Sequence, residues 1–168
     1  MILLDTNIIS EPLRPKPDSA VIAWLDRQPV ETLYLSSITV AELRFGIAIL
    51  PEGGKKRLLL EKLEETILPV FSERILDFDI EAAVAYAEVR AIARAAGFTI
   101  AAADGYIAAI ARYHHMTVAT RDTTPFTAAG LKVINPFLGG KKIARDLCKK
   151  ALPPTAETQT QVFGCFRP

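Results

Sequence analysis

The sequence predicts an α/β fold, a parallel sheet with helices packed on both of its faces. Three observations carry the prediction. Short apolar runs bounded by polar residues, at 1–4, 32–35, 117–120 and 131–134, have the length of buried strands. Between them lie longer segments whose apolar residues recur at helical spacing. Strands that alternate with helices across short links form parallel sheets, because each crossover helix covers a sheet face. Half of the residues are hydrophobic, which supplies the core of a single domain at this length.

Taken in order, Met1 to Leu4 opens as a strand closed by the polar Asp5-Thr6-Asn7. The prolines of Glu11-Pro12 and Pro15-Lys16-Pro17 delay the next helix until Asp18 or Ser19 can cap it, with Val21, Ile22, Trp24 and Leu25 inward. After the strand at 32–35, Ser36 and Ser37 lead into a helix carrying Val40, Leu43, Phe45, Ile47 and Leu50, which ends at Pro51 and Gly53-Gly54. Residues 55–67 are amphipathic, residues 69–71 and 74–76 read as short extended pieces, and Asp79 caps a long helix that Gly97 stops. A further helix spans 101–115 and is followed by the last two strands. Trp24, Tyr34 and Tyr106 are read as core or dimer-interface aromatics rather than as stacking platforms for bases.

The character of the chain changes after residue 138. Residues 1–138 form the folded domain. Residues 139–168, with Gly139-Gly140, a basic stretch and Pro153-Pro154, read as an appended tail. Charge divides the same way: the domain holds 14 Lys and Arg against 17 Asp and Glu, net −3, and the tail is net +4. A domain of net −3 is no nucleic-acid sponge, so any work on nucleic acid needs a metal, a local basic patch or a partner. No run is long and apolar enough to span a membrane, and no secretory leader is visible. Cys148 and Cys165 suggest no disulfide framework. A cytoplasmic protein is the expectation.

Four carboxylates stand at the edges of apolar segments: Asp5, Glu42, Asp104 and Asp122. Asp5 and Asp122 follow predicted core strands, and acids at the carboxyl ends of strands lie where open α/β sheets bind ligands. Glu42 and Asp104 interrupt apolar helix faces. Each alone has an ordinary reading, as cap, loop or solvated position. Together they point to one crevice, where carboxylates repel one another unless a divalent cation neutralises them. Mg²⁺ or Mn²⁺ and phosphate chemistry are the expectation. Other chemistries lack their parts. There is no GxxxxGK[ST] or GxGxxG loop, a haloacid-dehalogenase phosphatase would need an acid where Asn7 stands, and the adjacent His114 and His115 cannot share a helix face as zinc ligands.

These residues resemble a known family. Ile2-Leu3-Leu4-Asp5-Thr6-Asn7, Ala41-Glu42-Leu43, Ala103-Asp104-Gly105-Tyr106-Ile107-Ala108-Ala109 and Thr120-Arg121-Asp122 are similar, in order and spacing, to the motifs of PIN-domain ribonucleases, the VapC-type toxins of toxin–antitoxin pairs. Ser10-Glu11-Pro12-Leu13-Arg14 and the segments 100–108 and 118–123 look most like the FitB branch. The resemblance covers residues 1–138. It implies a PIN-like sheet of four or five parallel strands and Mg²⁺ or Mn²⁺ held by the acidic quartet, with Thr6 and Thr120 as supporting hydroxyls. It also implies a homodimer and a cognate antitoxin with a ribbon-helix-helix half, through which alone operator DNA is met. The activity implied is metal-dependent endoribonuclease action with water as nucleophile. Arg44 and Arg121 are candidate contacts for RNA or antitoxin. The alternative is a non-catalytic subunit that holds an antitoxin in a DNA-bound, autorepressing complex. A nuclease for DNA or flap structures shares the chemistry, but the chain shows no duplex-binding stripe.

Overall fold

The computed structural model describes residues 1–141. The expectation of an appended tail therefore lies, from residue 142 on, outside the described residues. Five strands form the sheet: β1 (Ile2–Leu4), β2 (Leu33–Ser36), β3 (Ile75–Leu76), β4 (Thr117–Ala119) and β5 (Val133–Ile134). Every pairing is parallel and the spatial order is β3-β2-β1-β4-β5, so the first strand of the chain is the central one. Its register sets Ile2 beside Leu33 on one flank and beside Thr117 on the other.

Successive side chains of a strand point to opposite faces, and the core divides accordingly. Leu3 and Val118 belong to one apolar cluster, with Ile107, Ile110 and Phe126; Leu4 and Ala119 belong to the other, with Ile8, Leu25, Leu35 and Phe71. Both faces are thus buried, which is why these strands read as continuous apolar runs rather than alternating ones. Leu3 and Leu4 have no exposed surface, and burying each leucine contributes about 1.5–3 kcal/mol.

On the Leu4 face lie α1 (Thr6–Ile9), α2 (Ser19–Leu25), α3 (Ser37–Ala48), and α4 (Gly54–Glu61), which runs through a π-helical stretch at Lys62–Ile67 into α5 (Leu68–Val70). On the Leu3 face lie α6 (Ile80–Ala95), α7 (Ala102–Tyr113) and α8 (Thr123–Ala128). Asp18 caps α2 by accepting from the backbone N–H groups of Ala20 and Val21, and Asp79 caps α6 through that of Ala82. Gly97 ends α6 at φ +81°, a left-handed conformation that glycine adopts without a Cβ penalty. Trp24 is core, and Tyr106 stacks on Tyr86 with ring centroids 4.9 Å apart.

Local expectations fail in three places. Residues 69–71 are not extended: Leu68–Val70 is a helical turn with Pro69 in its first turn, where the missing N–H costs no hydrogen bond. The amphipathic segment is one helical path, but its second half widens to π geometry. Two short helices, α1 and α8, follow β1 and β4 directly, and both are too short to leave a periodic signal. No described helix is long and apolar enough to cross a membrane.

Candidate functional site

The sheet reverses direction of growth at β1: β2 is added on one side of it and β4 on the other. A ligand crevice opens outside the carboxyl ends of the strands at such a switch point. Asp5 leaves the end of β1, and Thr120, Arg121 and Asp122 leave the end of β4 beside it. α3 starts at once from the end of β2, with the Ser36 hydroxyl accepting from the Thr39 N–H at 2.9 Å, and so carries Glu42 along the same rim. α7 returns to enter β4, so its first turn, with Asp104, lies at that rim too.

Asp5 is buried and closely held. Its Oδ1 accepts from the Thr6 N–H at 2.7 Å; its Oδ2 accepts from Asn7 Nδ2 and from Thr120 Oγ1, both at 2.6 Å. Burial pushes its carboxyl above the usual range and the Glu42 charge adds to this; the Thr120, Thr6 and Asn7 donors pull the other way without winning. Thr120 Oγ1 also accepts from the Asp122 N–H at 3.1 Å, so one buried hydroxyl ties two of the acids together. The Thr6 hydroxyl donates to Glu42 Oε2 and links the strand side of the rim to α3.

Asp104 is partly exposed. Desolvation first, and then the charges of Asp5, Glu42 and Asp122 in that order, raise its carboxyl to about 6. Three acids acting on a fourth means that all four share one field. Among the described residues no three of these groups approach to ligand spacing, as expected of like charges that repel one another. The donor set is oxygen only, carboxylates with hydroxyls behind them, which is the chemistry that hard divalent cations take. On that ground the residues fit Mg²⁺ or Mn²⁺.

The Arg44 guanidinium makes a two-pronged bond to Glu64 at 2.8 and 2.9 Å on the exposed surface. The bond pushes Arg44 up and Glu64 down. Arg121 stays at the rim, with its backbone N–H held by Asn7 Oδ1 at 3.0 Å. Two residues escaped the sequence reading. Asn7 joins Asp5, Thr120 and Arg121, a role its place two residues after Asp5 allows but does not announce. Glu11 is 2 % exposed, and nothing in a proline-rich connector signals a buried acid.

Comparison with known proteins decides the family. The PIN domain family matches residues 2–131. The chain belongs to the PIN domain family. Among curated PIN relatives it is similar to Toxin FitB of Neisseria gonorrhoeae, 59 % identical over 137 residues that cover 82 % of this chain and 99 % of that one. It is also similar to VapC ribonuclease Y4jK of Sinorhizobium fredii, at 54 % identity over 82 % of this chain and 98 % of that one. Its fold matches the crystal structure of FitAcB from Neisseria gonorrhoeae with a TM-score of 0.79 at 59 % identity, again over 82 % of this chain and 99 % of the other. The resemblance read from four short motifs is thus borne out across the PIN domain, including the FitB branch.

Proposed function

We propose that this PIN-domain protein is a metal-dependent endoribonuclease, the toxin of a type II toxin–antitoxin pair. The observation that carries the reading is the convergence of Asp5, Glu42, Asp104 and Asp122 at the sheet's switch point, with Asp104 raised to about 6 by desolvation and by its three acidic neighbours. Its relatives support it, being named as a toxin and as a ribonuclease.

When bound, Mg²⁺ or Mn²⁺ supplies positive charge beside the scissile phosphate and makes water a better nucleophile at neutral pH. Asp5 and Asp104 would hold the cation, and the donors from Thr6, Asn7 and Thr120 fix the Asp5 carboxylate so that it is already oriented. Glu42 or Asp122 would orient the water and take its proton at a carboxylate oxygen. Water attacks phosphorus, the P–O3′ bond breaks, and the products carry a 5′-phosphate and a 3′-hydroxyl. The RNA 2′-hydroxyl takes no part.

The partners follow from the same family. A FitAB complex bound to a DNA fragment is similar to this chain at 58 % identity and TM-score 0.79. We read this chain accordingly as a cytoplasmic homodimer that binds a ribbon-helix-helix antitoxin and reaches operator DNA only through it. Apolar side chains left exposed, Phe45 on α3, Ile49 just past its end, Leu58 on α4 and Ile80 and Val84 on α6, give such partners surface to cover. The DNA-bound relative also favours the second reading, a subunit that works mainly by holding its antitoxin on DNA.

One experiment separates the two. Purified antitoxin-free protein is incubated with tRNA and structured RNA in Mg²⁺, Mn²⁺ or EDTA, beside Asp5→Asn. Discrete cuts that need metal and fall at least about 100-fold in the variant are expected, a loss in the range for removing one electrostatic group from an active site. Folded wild type that cuts nothing under any metal would transfer the function to the DNA-bound complex.

A further inference from the structure

Beside the acidic crevice lies a second, oppositely charged construction that the reaction above does not use. Glu11, at the start of a 3₁₀ turn Glu11–Leu13, is buried to 2 % exposure. Its Oε1 accepts from the Asp18 N–H at 2.8 Å. Its Oε2 is buried and accepts no hydrogen bond among the described residues. Two guanidiniums nevertheless stand against that oxygen, Arg14 with Nε at 3.3 Å and Arg121 with Nη2 at 3.5 Å. Both arginine side chains are about half exposed, at 50 % and 47 %.

Arg121 is fixed on every side. Its guanidinium lies 3.8 Å from the centroid of the Phe137 ring, its N–H is held by Asn7 and its carbonyl accepts from Asn135 Nδ2 at 3.0 Å. In the chain it sits between Thr120, which donates to Asp5, and Asp122. An arginine that merely solvated the surface would need no buried carboxylate, aromatic ring and two amide clamps. One carboxylate against two guanidiniums leaves a net positive charge, and each guanidinium keeps N–H donors free of Glu11.

We propose that Glu11 is a positioning residue which holds Arg14 and Arg121 as a two-pronged clamp for a backbone phosphate of the RNA, next to the scissile one. The inference rests on the ribonuclease reading and adds the group that offsets its chief difficulty. Four carboxylates repel the substrate, and two planar forks at their edge match phosphate geometry. The clamp also explains the buried Oε2: it is the pivot of an ion-pair network whose outer face is completed by substrate.

Sign makes the test sharp. Glu11→Gln keeps the acceptor for the Asp18 N–H and removes one negative charge from the domain. Were charge all that mattered, the variant would bind RNA more tightly; as a pivot lost, it binds more weakly. Affinity is read by fluorescence anisotropy with a short labelled single-stranded RNA in EDTA, where nothing is cut, over a series of salt concentrations. Arg14→Ala and Arg121→Ala are each expected to weaken binding about tenfold, with the slope of log affinity against log salt reduced by about 0.7 per lost single-strand phosphate contact. Glu11→Gln should weaken it by a similar factor, and should cost nothing more when added to the double arginine variant. In Mg²⁺, its loss should appear as a rise in KM with kcat within about twofold of wild type.

Glu11→Gln that binds as tightly as wild type, or more tightly, would overturn the proposal. Unchanged affinity in the double arginine variant, whose substitutions are on the surface, overturns it whether or not Glu11→Gln folds. Wild-type cleavage is measured in parallel: cutting without a clamp effect removes the clamp alone, and a wild type that neither binds nor cuts RNA removes both.

Discussion

Asp5 and Asp104 are both pushed towards protonation, yet the two sides of the crevice are built on opposite plans. On the strand side Asp5 is buried and surrounded by donors: a backbone N–H, an amide and a hydroxyl whose own lone pairs are engaged in turn. On the helical side Asp104 stands partly exposed in the first turn of α7 and feels mainly other negative charges after desolvation. The first carboxylate is organised by the protein before any ligand arrives. The second is set mainly by desolvation and by its acidic neighbours.

Removing the organiser of the strand side should have the largest effect on stability. Thr120→Val keeps the volume but leaves Asp5 Oδ2 short of a donor and the Asp122 N–H without its acceptor. A buried polar group left unpaired costs about 1–3 kcal/mol. The thermal midpoint should drop by several degrees, and Asp5 should titrate higher still. An unchanged melting curve would show that the hydroxyl organises nothing.

On the helical side the weak point is steric. A Cβ at Gly105 would meet Tyr86 Cε2 at 2.9 Å, so Gly105→Ala must displace a ring stacked on Tyr106. Overpacking of this sort costs about 1–3 kcal/mol. It also shifts the turn bearing Asp104, so metal affinity measured by titration calorimetry should fall together with stability. Gly46→Ala in α3 is the control. Nothing lies within 4 Å of that Cβ, and the exchange should stabilise by about 0.5–1 kcal/mol through helix propensity alone.

A smaller effect carries the sign that distinguishes the two plans. Unfolded, Asp104 has an ordinary carboxyl at 3.8; folded, it sits at about 6. Between those values the folded chain keeps a proton that the unfolded chain has lost, so stability falls as pH rises through this window and stays low above it. Asp104→Asn abolishes that contribution. Discounted for solvent screening at a partly exposed group, the metal-free variant should be more stable than wild type at pH 7.5 by about 1 kcal/mol. It should be no more stable near pH 4. Calorimetric melts at the two pH values settle it, and a gain equal at both would break the comparison. Adding Mg²⁺ should raise the wild-type midpoint more than that of the variant.

Much of this was legible before any coordinates. β1, α2 with its Asp18 cap, α6 between Asp79 and Gly97, and the four acids are written as apolar runs and cap residues, which are local signals. The missing parts are the ones that depend on tertiary neighbours. Pro69 reads as a break but enters a helix at the position that tolerates it. Glu11 reads as a connector residue because its burial is decided by Arg14 and Arg121, the second of them far along the chain. Asn7 looks like a strand terminator, and only the approach of Thr120 gives its amide two partners.

The central position of β1 has a consequence for synthesis. β1 is made before its neighbour β4 and must wait for it, and the bond between Thr120 and Asp5 spans 115 residues of sequence. Contacts of such long range form late and set a slow step in folding. Asp5 is made well before Asp122, so a nascent chain carries the earlier acids without the crevice. Whatever the assembled site cuts, a nascent chain that has not yet reached Asp122 is unable to cut it.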